Sequence, residues 1–196
     1  MKIKRNSIAL LAVLAVLVSL VAIATVPASA QSSILLNNNA TATGAVGSPV
    51  TIKASGFLGN VTLYTYWDNT LISSVPTLVL SNGSGDATFG IVIPAAYAGN
   101  HTVKVTDAIT PATATFTVVP SVTITSPTTK TGAVGSSVTV QGAGFTPSVS
   151  AYVYIGNDSS NPPAGNLTVA QVPLTDPTGG CPVTGTIPPV KAGKHC

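Results

Sequence analysis

Two hydrophobic patterns divide the chain. Residues 8 to 26 are almost wholly apolar, with no polar face. From residue 31 onward, apolar positions recur at every second residue instead. Val50, Ile52 and Ala54 interleave with Thr51, Lys53 and Ser55, and Val61, Leu63, Thr65 and Trp67 with Thr62, Tyr64 and Tyr66. Phe89, Ile91 and Ile93 repeat the pattern, as do Val103 with Val105 and Phe116 with Val118. A period of two places successive side chains on opposite faces of a pleated strand. With Thr, Val and Tyr enriched inside the runs and Gly, Pro and Asn between them, the pattern predicts half-buried antiparallel strands. Many short strands of this kind predict a β-sandwich, and no helical period is present after residue 30.

The strand pattern is written twice. TGAVGSPVTIKASGF at 43–57 returns as TGAVGSSVTVQGAGF at 131–145, identical at 10 of 15 positions and displaced by 88. SILLNNNATATGAVGS at 33–48 matches SVTITSPTTKTGAVGS at 121–136, and GNVTLYTYWDN at 59–69 matches PSVSAYVYIGN at 147–157. After a six-residue insertion, GDATFGIVIPAAYAGNHT at 85–102 matches GGCPVTGTIPPVKAGKHC at 179–196. A non-helical unit of this length points to an array of domains, since solenoid repeats are shorter. The expected architecture is all-β: two tandem Ig-like antiparallel sandwiches, repeat one at 31–120 and repeat two at 121–196. Gly56 lets the chain turn so that Phe57 caps the end of the sandwich, and Phe145 is its expected buried equivalent.

These same residues carry a family likeness. The order G-x-x-V-T-(I/V)-x-(A/G)-x-G-F, an alternating strand, IP, A-G-x-H, VKVTD and ATATFTVVP resembles the Ig-like repeats of the IPT/TIG type. Such modules are common on archaeal and bacterial surface proteins, and the likeness spans residues 33–196. It implies an Ig-like fold and a cell-surface, archaeal setting; because the family hosts many roles, it implies no particular ligand.

The apolar run belongs to a leader. Lys2, Lys4 and Arg5 precede it, and Ala28, Ser29 and Ala30 follow as a small-x-small site. Residues 1–30 therefore read as a signal peptide cleaved after Ala30, and the protein as exported to the extracellular face. The run is 19 residues long, enough to span a bilayer as an uncleaved anchor, so the leader is the one expected membrane contact. Its removal changes the charge. The net +3 comes from Lys2, Lys4 and Arg5; beyond them Lys53, Lys104, Lys130, Lys191 and Lys194 balance Asp68, Asp86, Asp107, Asp158 and Asp176. A neutral chain without a basic patch excludes nucleic acid as a partner.

Candidate chemistry is sparse. Sequons begin at Asn39, Asn60, Asn82, Asn100, Asn157 and Asn166, which marks the chain as a candidate glycoprotein. Cys181 and Cys196 enclose 14 residues, and in an exported chain their simplest state is an intramolecular disulfide. The alignment starts two different strands with them, further apart than the ~7 Å a bridge tolerates between Cα atoms, so an intermolecular bond stays open. His101 and His195 occupy one position in the two repeats and are expected to satisfy a backbone group, as a tyrosine corner does. Tyr64 with Tyr66, and Tyr152 with Tyr154, place paired rings on the outer face of equivalent strands, as a glycan-stacking platform would. Asp107 with Asp86 or Asp68 lacks the oxygen count and spacing of a calcium loop. No nucleophile–histidine–acid arrangement or phosphate loop is present, so no catalysis, cofactor or metal is expected.

Repeat one runs on beyond Thr102, whereas repeat two reaches Cys196 at the equivalent position. The counterparts of Val103, Val105, Phe116 and Val118 are thus not in the sequence; at roughly 2 kcal/mol per buried apolar side chain they amount to about 8 kcal/mol. That is comparable with the whole stability of a small domain, about 5–15 kcal/mol. Three readings stay open: a fragment of a longer gene, closure by an extra strand from 157–171, or a strand donated by another subunit. Ser32, Ser33, Ile34, Leu35 and Leu36 are the candidate donor, and head-to-tail donation would build a filament. The expected function is a surface structural protein, an envelope, stalk or filament component whose partners are other envelope proteins or its own copies. The alternative is an adhesin or carbohydrate-binding module.

Overall fold

In the computed structural model, residues 31–155, 167–172 and 175–189 are described, with 151, 155 and 167–172 described by backbone alone. The leader, Asn157, Asn166, His195 and Cys196 lie outside the described residues. Every regular element among the described residues is a strand.

Repeat one is a two-layer sandwich. One layer runs in the order β1 (Ser33–Leu36), β3 (Pro49–Ser55), β8 (Ala87–Val92) and β6 (Ser74–Val75). The other runs β2 (Thr41–Gly44), β10 (Pro111–Val118), β9 (Gly99–Thr106), β4 (Thr62–Trp67) and β5 (Thr70–Ile72), with β7 (Val79–Leu80) also on β4. All pairings are antiparallel except that of β2 with β10. The alternation seen in the sequence sets the layers. β3 buries Val50, Ile52 and Ala54 and exposes the residues between them, and β4 buries Leu63, Thr65 and Trp67. Leu36, Ile52, Ile91, Ile93, Val103, Val105, Phe116 and Val118 fill the space between the sheets. Thr65 brings a hydroxyl into this core, and its Oγ1 lies 3.2 Å from Ser74 Oγ, so the two satisfy each other.

Repeat two holds β11 (Ser121–Ser126), β12 (Ser137–Ala143) and β15 (Cys181–Thr186) in one sheet, and β13 (Ala151–Ile155) with β14 (Leu167–Val172) in another. β11, β12 and β15 reproduce β1, β3 and β8 in register. Ile34 faces Ala54 and Leu36 faces Ile52; Val122 faces Gly142 and Ile124 faces Val140. The segment after the insertion does form a strand, since β14 pairs with β13. No strand pairs with the other edge of β13, and the counterpart of β2 is not a strand, among the described residues.

Ser33, Ile34, Leu35 and Leu36, the candidate donor, form β1 against β3, with Ile34 and Leu36 in the core, while Ser32 Oγ donates to the Pro111 carbonyl. Donation would expose both apolar side chains. One expectation needs correction: Phe145 is half-buried rather than buried like Phe57.

Candidate functional site

The most elaborate polar construction is a loop clasp that the chain builds twice. In repeat one, Ser81 Oγ donates to the Leu58 carbonyl at 2.6 Å and accepts from Val61 N at 3.1 Å. In repeat two, Thr175 Oγ1 donates to the Thr146 carbonyl at 2.7 Å and accepts from Val149 N at 3.3 Å. Next to it, Asn82 Oδ1 accepts from Ser84 N and Asp86 N, both 2.9 Å away. Asp176 Oδ1 accepts from Thr178 N at 2.8 Å and Gly180 N at 2.7 Å. Phe57 N and Phe145 N reach the carbonyls of Gly85 and Gly179 at 3.1 and 3.0 Å. Gly85 and Gly179 have φ of 83° and 75°, and a Cβ on either would collide with the phenylalanine carbonyl below. The displacement is 88 before the insertion and 94 after it. Asn and Asp interchange at this position because the geometry needs only an acceptor oxygen.

Asp107 closes the same end of repeat one. The carboxylate is buried: Oδ2 accepts from Leu58 N at 3.0 Å and Thr110 Oγ1 at 2.9 Å, and Oδ1 from Ile109 N at 2.9 Å and Thr110 N at 2.7 Å. Burial pushes its pKa up, but the donors from Thr110, Leu58 and Ile109 outweigh this and hold it well below the ordinary carboxylate range. Four donors leave no lone pair for a cation. No cluster of three His, Cys, Asp or Glu side chains forms among the described residues.

His101 is buried at the opposite end. Its ring stacks on Trp67 at 4.9 Å and 20°, and meets Tyr97 edge-on at 5.0 Å. Nε2 lies 2.8 Å from the Tyr97 carbonyl, and Nδ1 lies 2.5 Å from Asp68 Oδ2. Asp68 Oδ1 also accepts from Thr102 N at 2.9 Å, which clips the β4–β5 hairpin to β9. Nε2 is committed to a backbone carbonyl, so the Asp–His pair has no nitrogen free to act as a general base. The A-G-x-H pattern alone does not reveal the aspartate partner of the histidine. Its signal lies in Trp67-Asp68-Asn69-Thr70, where Asp68 and Asn69 take φ of 46° and 70° in a two-residue hairpin.

The tyrosine pairs differ from each other. Lys104 Nζ sits 4.6 Å over the Tyr66 ring, so Tyr66 is covered on one face and only Tyr64, 44% exposed, is open. Tyr152, 51% exposed, and Tyr154 stack at 6.2 Å and 24°. Asn39, Asn60, Asn82 and Asn100 are all exposed, although Asn82 and Asn100 use Oδ1 as an acceptor, from the loop amides and from Thr117 Oγ1. Cys181 is a buried free thiol facing Gly142, and burial pushes its pKa up. Its expected partner, Cys196, lies outside the described residues.

No protein-family model and no curated protein matches the chain. Among solved structures it is similar to a chimeric titin Z1Z2 tandem carrying an exogenous GRGDS peptide from fibronectin, at 17% identity over 83% of this chain and 97% of that one, TM-score 0.28. It is also similar to the fibronectin(III)-like modules of Clostridium thermocellum CbhA, at 15% identity over 79% of this chain and 94% of that one, TM-score 0.26. The fold assignment rests on the strand order and registers above: an all-β, Ig-like sandwich in repeat one and the same plan in repeat two.

Proposed function

We propose that the chain is an exported, non-catalytic structural component of a cell surface, built from tandem Ig-like repeats of the IPT/TIG type. The observation that carries this reading is the duplicated clasp. Ser81 with Asn82, and Thr175 with Asp176, spend their polar groups on the chain's own backbone. Asp107 and His101 do the same, so the buried polar chemistry serves to stiffen a module. A repeated, stiffened module suits an envelope, stalk or filament subunit whose partners are like modules. The test is to express the full sequence in an archaeal or bacterial host, sequence the mature N-terminus and follow the purified protein by sedimentation. The expected result is an extracellular chain beginning at Gln31 that forms larger species as concentration rises. A cytoplasmic chain that remains a monomer at every concentration would sink the reading.

The stacked Tyr152 and Tyr154, exposed and half-buried respectively, favour a second reading, an adhesin that seats sugar rings on that face. Retention on a glycan array, abolished by Tyr152→Ala with Tyr154→Ala and unchanged by Tyr66→Ala, would select it. No retention on any glycan would remove it.

A further inference from the structure

The clasp of repeat one carries an amide nitrogen that the clasp does not use. Asn82 Oδ1 accepts from Ser84 N and Asp86 N, both at 2.9 Å, and that oxygen alone closes the turn. In repeat two Asp176 Oδ1 fills the same place, accepting from Thr178 N at 2.8 Å and Gly180 N at 2.7 Å. A carboxylate oxygen therefore serves as well as an amide oxygen. What asparagine adds is Nδ2, which makes no hydrogen bond among the described residues. Asn82 also opens the sequon Asn82-Gly83-Ser84, whereas Asp176 opens Asp176-Pro177-Thr178. The hydroxyls differ too. Thr178 Oγ1 is tied back to Asp176 Oδ1 at 2.7 Å, while Ser84 Oγ has no such bond among the described residues.

Asn39, Asn60, Asn82 and Asn100 open the sequons that lie within the described residues, and the fold presents them differently. A glycan transferase must enclose both the amide nitrogen and the hydroxyl two residues on, so a sequon built into a sheet must first be peeled from it. Thr41 sits in β2 beside β10, Thr62 in β4 beside β7, and Thr102 in β9 beside β10. Asn39 Nδ2 also donates to the Asn37 carbonyl at 3.1 Å, and Asn100 Oδ1 accepts from Thr117 Oγ1 at 2.8 Å. Asn82, Gly83 and Ser84 are all exposed and lie between β7 and β8, outside any strand. The space around them is open: a Cβ built on Gly83 would meet one atom within 4 Å, Asn60 Nδ2 at 3.9 Å.

We infer that Asn82 is the acceptor for an N-linked oligosaccharide on the folded domain, ahead of Asn39, Asn60 and Asn100. The step forms a bond from Nδ2 to the anomeric carbon of an oligosaccharide carried on a polyprenyl phosphate. It breaks the bond from that carbon to the phosphate oxygen; the polyprenyl phosphate leaves with the bonding pair, and one Nδ2 proton passes to a base of the transferase. Oδ1 remains an acceptor throughout, so the clasp survives modification. The inference rests on the export reading, and the two fail separately: the measurement below is made on purified chain and stands whether or not export occurs.

The test uses an oligosaccharyltransferase that modifies synthetic peptides of all these sequons, supplied with its polyprenyl-phosphate-linked oligosaccharide. The purified, folded full chain is treated in the same way, and both sets of products are mapped by fragmentation mass spectrometry. The expected result is a ratio of chain to peptide modification higher at Asn82 than at Asn39, Asn60 or Asn100, by about tenfold or more. Asn82→Asp copies Asp176 and should abolish that product while the emission of Trp67, buried in repeat one, stays unchanged. Ser84→Ala keeps the backbone donor to Asn82 Oδ1 and should remove the product as well. Equal ratios at all these sites, a higher ratio at any of the others, or a folded chain left bare while the peptides are modified would overturn the inference. So would a product at Asn82 that persists in Ser84→Ala.

Discussion

Asp107 is one of few charges in this chain, and its side chain is spent on holding a loop. The carboxylate holds the 107–110 turn and the start of the 58–61 turn together through four donors. Because its folded pKa is depressed, its contribution to stability is complete above the unfolded value, about 3.9, and drains away as pH falls below it. Asp107→Asn keeps one acceptor but turns an amide donor toward other donors. The expected cost is about 2–4 kcal/mol at pH 7, measured by urea unfolding. The gap between wild type and variant should narrow as pH drops below about 4. A gap that is constant with pH would show that the charge is not what stabilises the loop. His101 makes a different point. The repeat of AG-x-H singles it out in the sequence, but its carboxylate partner Asp68 sits across the sheet, 33 positions away. No local signal reports such a distance.

Elements were legible in proportion to how locally they are determined. Alternation gave β3, β4, β8, β9 and β10 with their buried faces, because one solvated face forces a period of two. The clasp was not legible: Ser81 and Asn82 lie in 70–84, between the stretches that match across the repeats, and Ser/Thr and Asn/Asp exchanges hide the likeness. β2 was not legible: it becomes a strand only because β10 lies beside it, and the similar TKTG at 129–132 does not. The internal repeat also explains a pair that composition alone would miss. Ala54 faces Ala87 in repeat one, and Gly142 faces Cys181 in repeat two, so the small and large members have traded volume. A Cβ on Gly142 would collide with Cys181 Sγ and come within 3.0 Å of the Phe145 ring. Gly142→Ala should therefore destabilise repeat two by about 1–3 kcal/mol. Adding Cys181→Ala recreates the repeat-one pair and should recover most of that loss, so the two changes couple rather than add. Additive losses in hydrogen-exchange protection of β12 would refute the volume trade.

At the scale of the whole chain, two copies of one plan should differ in stability for a reason visible in their burial. Repeat one closes its core between two full sheets. In repeat two, β11 leaves exposed the two side chains whose counterparts are sealed. Fully burying an aliphatic side chain contributes about 1.5–3 kcal/mol, so partial exposure of two of them forfeits about 2–3 kcal/mol. Against a domain stability of about 5–15 kcal/mol, that difference separates the two transitions. The chain is expected to unfold in two steps, with Trp67 emission, which reports repeat one, changing in the later step. Native-state hydrogen exchange sharpens the comparison, because the strands match in register. Amides of Val138 and Val140 in β12 should open at lower free energy than those of Val50 and Ile52 in β3. Equal protection of the two pairs would mean that repeat two gains its stability from contacts other than those that close repeat one.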